Sequence, residues 1–304
     1  MSEQKWIRSS LRHVSDRLKE RGHQISHVTV GRILRLHKYS PRVNAKKVEG
    51  KQHPDRNLQF EYIATLRQAF EEAGLPVISV DTKKKELIGN FKNAGQAWSQ
   101  EAEAVDVHDF PGDAIGRAVP YGIYDIAVNR GFVRIGTSAD TAEFAVDAIC
   151  AWWKKDGKQR YPGAKQLLIL ADGGGSNNCT HRLWKQQIQE KLCDQEGLEV
   201  TVCHYPTSCS KWNPIEHQLF GPISLNWAGT PLRTWEIMLG YLRGTTTKNG
   251  LKVTAELHKQ QYQKGRKVSD EEMSRLSFKP HAVCPKWNYT FCSRSILTGL
   301  KKAA

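Results

Sequence analysis

Three acidic residues stand where the chain changes from one kind of element to another. Asp81 closes the apolar run of VISVDTKKKE. Asp172 closes LLILAD and is followed by Gly173, Gly174 and Gly175. Glu216 falls in the first turn of the helix predicted from NPIEHQLF. Two strand ends and one helix start thus each offer a carboxylate, and ligands of open α/β sheets gather at such strand ends. Three carboxylates drawn together repel one another unless a cation joins them. Hard divalent ions take oxygen ligands, and Mg²⁺ is the usual one where phosphates are also bound. Two such ions about 3.5–4 Å apart can activate a nucleophile on one side and stabilise a leaving oxygen on the other. The glycines after Asp172 let backbone approach a substrate without side-chain obstruction.

Each acid also has a plainer reading. Asp81 can end a strand as a turn residue, and Asp172 can form an Asx turn with the glycines. Asn213, Pro214 and Glu216 have the spacing of a capping box, with Asn213 as N-cap and Glu216 at N3. The glycine run has neither the phosphate-loop nor the dinucleotide spacing. What favours chemistry is the three acids together, in this order of elements.

The elements that must position them read as an α/β layer structure. LPVISVD is a short buried strand, with ELIGNFK as its expected neighbour. VPYGIYDIAVNRGFVRIGTS is two strands around a turn at Asn129-Arg130-Gly131. KQLLILAD and LEVTVCHYP are further strands. TAEFAVDAICAWW, HRLWKQQIQEKL, NPIEHQLFGPISLNWAG and LRTWEIMLGYLRG carry helical periodicity, and so does the stretch with Phe60, Ile63, Leu66 and Phe70. Buried strands alternating with helices predict a mixed sheet flanked by helices. The catalytic domain is expected over 59–250.

Charge is placed unevenly. The 304 residues carry +14, yet residues 1–60 alone hold 14 Lys+Arg against 5 Asp+Glu, and residues 251–304 hold 11 against 4. Basic flanks around a slightly acidic centre suit a polyanion held at the ends and worked on in the middle. Residues 1–41 read as a helix-turn-helix. Leu11, Val14 and Leu18 share a face, Gly22 breaks the pattern, Ser26 caps a second helix, and Val30, Ile33 and Leu34 share its face. His27, Thr29, Arg32 and Arg35 fall largely off that face, available to phosphates or base edges. Residues 42–58 are a basic linker, and 251–304 a basic C-terminal appendage. Lys83, Lys84 and Lys85 beside Asp81, and Lys211 before the last acid, are further candidates for DNA phosphates. Asp106, His108 and Asp109 are polar loop residues of the kind that neighbour active sites.

Seven cysteines, an odd number in a long chain, fit a reducing compartment. The pairs Cys179/His181 and Cys203/His204 lack the second pair that a zinc site needs. No stretch reaches ~18 uninterrupted apolar residues, so no membrane span is expected.

VISVDTKKKELIGNFKN, VDVHDFP, LLILADGGGSN and CSKWNPIEHQLF, with WNYT near the end, resemble as a set the transposases of bacterial insertion sequences of the Rhodopirellula type, the ISAzo-thirteen family. The resemblance implies a ribonuclease-H-like fold with Asp81, Asp172 and Glu216 as an Asp-Asp-Glu triad; 43 residues lie between the last two. It implies cleavage of DNA at the element's terminal inverted repeats and strand transfer into target DNA, with two Mg²⁺ ions for which Mn²⁺ can substitute. It also implies a homo-oligomer on paired ends and a cytoplasmic, nucleoid-associated location. The family's longer segment before the helix-turn-helix leads one to expect a shortened N-terminal DNA-binding part here. A nuclease that cuts without joining, and an idle copy that only binds DNA, remain open on the same residues.

Overall fold

The apolar runs read as strands converge on one sheet. The structure, a computed structural model, describes residues 9–41 and 53–294. Most of the linker expected at 42–58 therefore lies outside the described residues, as do 1–8 and 295–304. The chain divides into two units, Met1–Glu49 and Gly50–Ala304.

In the first unit, α1 (Leu11–Glu20) and α2 (His27–Leu36) form the expected helical pair. Ser10 and Ser26 cap them, accepting from the His13 and Thr29 amides. Gly22 makes the turn with φ +87°. The Ser15 hydroxyl donates to the Ile25 carbonyl at 2.6 Å, tying α1 to the segment that enters α2. Gly31 lets the helices close: a Cβ there would stand 3.1 Å from Leu11 Cδ1.

The second unit is built on a nine-stranded mixed sheet. Its strands are β1 (Val77–Thr82), β2 (Glu86–Ile88), β3 (Gly116–Asp125), β4 (Arg130–Gly136), β5 (Gln166–Ala171), β6 (Glu199–His204), β7 (Lys252–His258), β8 (Phe278–Pro280) and β9 (Asn288–Phe291). The order is β7-β4-β3-β1-β5-β6-β9-β8, with β2 paired to β3. β4, β3 and β1 run antiparallel, while β1, β5 and β6 run parallel. Three antiparallel strands followed by two parallel ones is the ribonuclease-H-like arrangement.

Two expectations change here. ELIGNFK forms only a three-residue strand, and it pairs with β3, not with β1. Residues 251–294 are no appendage, for β7 lies parallel to β4 along seven residues and β9 lies antiparallel to β6. β8 and β9 are three and four residues long. So short a strand shows little alternation, which is why its place in the sheet was hidden.

Helices cover both faces, as a sheet with a parallel centre requires. On one face α4 (Ala142–Trp152) and α6 (Arg182–Gln187) bury Phe144, Ile149, Trp152 and Trp184 against Ile78, Val80, Tyr121, Leu167 and Ile169. A short α5 (Lys158–Arg160) follows α4 through a wide π turn. On the other face, α3 (Arg56–Glu72) packs Ile63 and its neighbours over Val77, Leu168 and Leu170. Beside it a π turn at Glu216–Phe220, α7 (Gly221–Asn226) and α8 (Trp235–Arg243) bury Ile215, Leu219, Phe220, Trp227 and Met238 on Tyr124, Val133 and Ile135. α9 (Asp270–Ser274) lies toward the C-terminus, with a complete capping box at Ser269 and Glu272. Among the described residues no helix is long and apolar enough to cross a membrane.

Candidate functional site

Alternation along the strands sets which way the carboxylates face. Ile78 and Val80 of β1 lie in the α4 side of the core, whereas Val77 lies under α3. Asp81 shares the parity of Val77 and therefore faces the α3 side. The same count along β5 puts Leu168, Leu170 and then Asp172 on that side. Val80 of β1 pairs in parallel with Ala171 of β5, so Asp81 and Asp172 are the next residues in line on neighbouring strands.

Glu216 reaches them from a separate element. The polypeptide enters its π turn through Asn213 and Ile215, both wholly buried. Asn213 does not cap its own helix as the capping-box reading expects. Its side-chain amide donates to the Val80 carbonyl at 3.3 Å, and its side-chain oxygen accepts from the Ser79 hydroxyl. Ser79 in turn accepts from the Ile215 amide at 3.1 Å. The start of the Glu216 segment is thus bonded to β1 one and two residues before Asp81. The π turn has a local cause. Pro222 has no N–H to continue an α ladder, and the Gly221 amide reaches back to the Glu216 carbonyl.

The second support is Gly122, which pairs with Asp81 in the β1–β3 register. A Cβ at Gly122 would stand 2.5 Å from Phe220 Cε1 and 3.0 Å from Ile215 Cδ1. Only a glycine allows the Glu216 segment to lie this close to the sheet beside Asp81.

The three acids interact. Burial is the main cause that raises the Asp81 carboxyl from 3.8 to about 8. The charge of Asp172 adds to it, the Thr82 amide at 2.7 Å opposes it, and Glu216 raises it through both charge and a hydrogen bond. Asp172 is raised by burial and by Glu216, against the Gly174 amide at 3.3 Å. Among the described residues no three His, Cys, Asp or Glu side chains stand in metal-holding geometry. The donor set nonetheless fits a hard divalent cation: three carboxylates brought into mutual repulsion, two of them held by backbone amides.

Around them lies a polar shell that the sequence did not announce. Thr82 donates to Asp140 at 3.2 Å, and its hydroxyl is 3.3 Å from that of Ser176. The buried Tyr121 hydroxyl donates to Asn177 at 2.7 Å. His204, wholly buried, places Nδ1 2.9 Å from the Asp172 carbonyl and Nε2 2.7 Å from the Tyr289 hydroxyl. Burial lowers this imidazole to about 4, so it is neutral at pH 7 and Nδ1–H donates to Asp172 while Nε2 accepts from Tyr289. Of the glycines after Asp172, Gly175 alone has a left-handed φ, +59°.

The expected phosphate-binding lysines take different places. Lys83 is 8% exposed, packed over the Trp227 ring at 4.6 Å and 3.4 Å from Glu86. It turns inward and is not offered at the surface. Lys84 is exposed on the rim of a shallow pocket shared with Glu216 and Ser224. Lys85 pairs with Asp140 at 3.2 Å. Lys211 is exposed, with its ammonium 5.6 Å from the Trp212 ring. In the first unit His27, Arg32 and Arg35 are exposed on α2, while the Thr29 hydroxyl lies 3.0 Å from that of the cap Ser26. Asp106 is bonded to Asn90, and His108 rests on Phe110.

None of the curated proteins matches the chain. Among solved structures, the crystal structure of the Mos1 Strand Transfer Complex is 11% identical with a TM-score of 0.47, covering 77% of this chain and 64% of that one. The Mos1 mariner paired end complex with Mn is 13% identical with a TM-score of 0.46, covering 77% and 65%. The Mos1 transposase paired-end complex with left transposon end is 11% identical with a TM-score of 0.45, again covering 77% and 65%. The chain thus matches slightly less than two thirds of the length of these proteins. A family described as the Rhodopirellula transposase DDE domain matches residues 1–293. With that match spanning both units, and with acids at the ends of β1 and β5 and in the Glu216 turn, the chain belongs to the Rhodopirellula transposase DDE domain family.

Proposed function

We propose that the protein is a DNA transposase that cleaves at the ends of its insertion sequence and joins them to target DNA. The observation that carries this reading is that Asp81 and Asp172 follow paired residues at adjacent parallel strand ends, with the start of the Glu216 turn hydrogen-bonded to β1 just before Asp81. Asp81 and Asp172, side by side at parallel strand ends, form the fixed pair of the donor set, and Glu216 completes it from the π turn. Asp81, Asp172 and Glu216 would hold Mg²⁺ or Mn²⁺, which would supply activation of a water or a 3′-hydroxyl and stabilisation of the leaving oxygen. No covalent protein nucleophile is required.

The remaining residues hold and orient DNA. Lys84 and Lys85 near Asp81, and Lys211 before the Glu216 turn, are assigned to DNA phosphates. His27, Thr29, Arg32 and Arg35 of α2 bind the terminal inverted repeats, by contacts to phosphates and base edges. The protein acts as a homo-oligomer that pairs two ends, in the bacterial cytoplasm on nucleoid DNA.

The test is incubation with Mg²⁺ and DNA carrying the flanking inverted repeats, comparing the parent with Asp81→Ala. Cleaved and joined products are expected from the parent and none from the variant. Products cut but never joined would replace this reading with that of a nuclease. Equal products from both proteins would remove the triad from the chemistry.

A further inference from the structure

The sheet edge next to Asp172 opens into a trench of about 670 Å³. One wall is the chain that continues from the triple glycine, Gly175 and Ser176 and then Thr180 to Leu183. The other is the loop Gln263–Val268, which belongs to the basic C-terminal segment. Lys85 and Asp140 also line the trench. Thr82, the residue after Asp81 at the end of β1, bonds to two of its lining residues, Asp140 and Ser176.

The loop is held firmly and presents charge at its tip. Tyr262, 7% exposed, donates its hydroxyl to Asp147 at 2.8 Å, and its amide donates to Ser138 at 3.2 Å. Val268 is 6% exposed, and its carbonyl accepts from Arg182 at 3.2 Å. Between these anchors Gly265 turns the chain with φ +77°, leaving Lys264, Arg266 and Lys267 exposed. The acids in reach are already used: Asp140 pairs with Lys85 at 3.2 Å and Glu143 with Arg266 at 3.4 Å. Lys264 and Lys267 have no acidic partner among the described residues. Opposite them Gly175 offers bare backbone, where a Cβ would meet nothing within 4 Å. An anchored trench with unpaired ammonium groups on one wall and open backbone on the other matches a polyanionic strand.

We propose that this trench is a phosphodiester track that holds a DNA strand beside the end of β1, with Lys264 and Lys267 as its phosphate contacts. The proposal rests on the transposase reading above for the identity of the strand, which belongs either to the element's end or to target DNA.

The experiment uses the full chain in EDTA, so that binding is read without chemistry. Lys264→Gln/Lys267→Gln is compared with the parent and with Lys248→Gln/Lys252→Gln. The latter removes equal charge from exposed positions at the far end of the sheet, where Lys252 pairs with Arg130. Affinity is measured by anisotropy on an inverted-repeat duplex and on a random-sequence duplex, across roughly 50–200 mM salt. The trench variant is expected to flatten the plot of log affinity against log salt by about 1.8, for two phosphate contacts at ~0.9 each. The control pair is expected to leave it unchanged. A change on the inverted repeat alone assigns the trench to the element's end, and an equal change on both duplexes assigns it to target DNA. Parental slopes on both duplexes, or the same change in the control pair, overturn the proposal. Should the parent fail to cut with Mg²⁺ while the slope still flattens, the transposase reading falls and the track stands.

Discussion

The Ser79 hydroxyl donates to the side-chain oxygen of Asn213, and neither residue has exposed surface. This contact bonds β1 to the chain leading into Glu216, so the distance from Asp81 to Glu216 is fixed by hydrogen bonds as well as by packing. Asn213→Ala strands the Ser79 hydroxyl and removes the donor to the Val80 carbonyl. A buried group left unpaired costs about 1–3 kcal/mol. The variant is expected to melt several degrees lower and to lose Mg²⁺-dependent cleavage out of proportion to that destabilisation. Cleavage at the parental rate, measured at a temperature where both proteins are folded, would show that the tie does not govern Glu216.

Gly122 gives an independent handle on the same geometry, from the other side of the segment. In Gly122→Ala the new methyl meets Phe220 and Ile215. Overpacking of this kind costs about 1–3 kcal/mol, and relief requires the Glu216 segment to lift from the sheet. Cleavage assays should show a fall with all three acids intact. Gly112→Ala, where a Cβ meets nothing within 4 Å, should behave as the parent.

The raised Asp81 carboxyl makes a prediction about stability and pH. In the unfolded chain this group ionises near 3.8, and in the fold near 8. Between those values the native state keeps a proton that the unfolded state has released, so metal-free stability falls as pH rises from 4 toward 8. Asp81→Asn carries no charge to suppress. It should exceed the parent in stability at pH 8, seen as a higher Tm, and converge with it near pH 4. Thermal unfolding in EDTA across this range is the check, and a parent as stable as the variant at pH 8 counts against the account. The same variant should lose cleavage by about a thousandfold or more.

Divalent cations should reverse that penalty in the parent. A ligand at about 100 times its Kd adds ~2.7 kcal/mol to the folded state. Mg²⁺ or Mn²⁺ is therefore expected to raise the parent's Tm by several degrees and to leave Asp172→Asn nearly unmoved. Equal shifts in both proteins would place the cation elsewhere.

The first unit should bind DNA apart from the chemistry. Arg32→Ala and Arg35→Ala, both exposed on α2, should each weaken binding to inverted-repeat DNA and lower the salt slope by ~0.9. The Tm of the second unit should not change. A slope unaffected by both substitutions would remove α2 from the interface.

Much of this protein could be read directly from the order of its residues. Asp81 and Asp172 each end a run of apolar residues, and a run of that length and composition makes a strand wherever it is placed. The caps at Ser10 and Ser26, the break at Gly22 and the helical faces of α3 and α4 are likewise local, because capping and side-chain periodicity act over a turn or two. The tertiary structure decided what depends on partners far along the chain. Asn213 has the spacing of an N-cap, yet its hydrogen bonds go to Ser79 and Val80, more than a hundred residues away. Lys83 stands in a basic run that looks solvated, yet Trp227 and Glu86 draw it into the fold. Strands β8 and β9 are too short to show a pattern, and it is pairing with each other and with the open edge of β6 that places them in the sheet. Local preference fixes which residues end which elements. The pairing of β1 with β5 and the packing of Phe220 over Gly122 bring those ends together, and neither has a signature within a few residues of sequence.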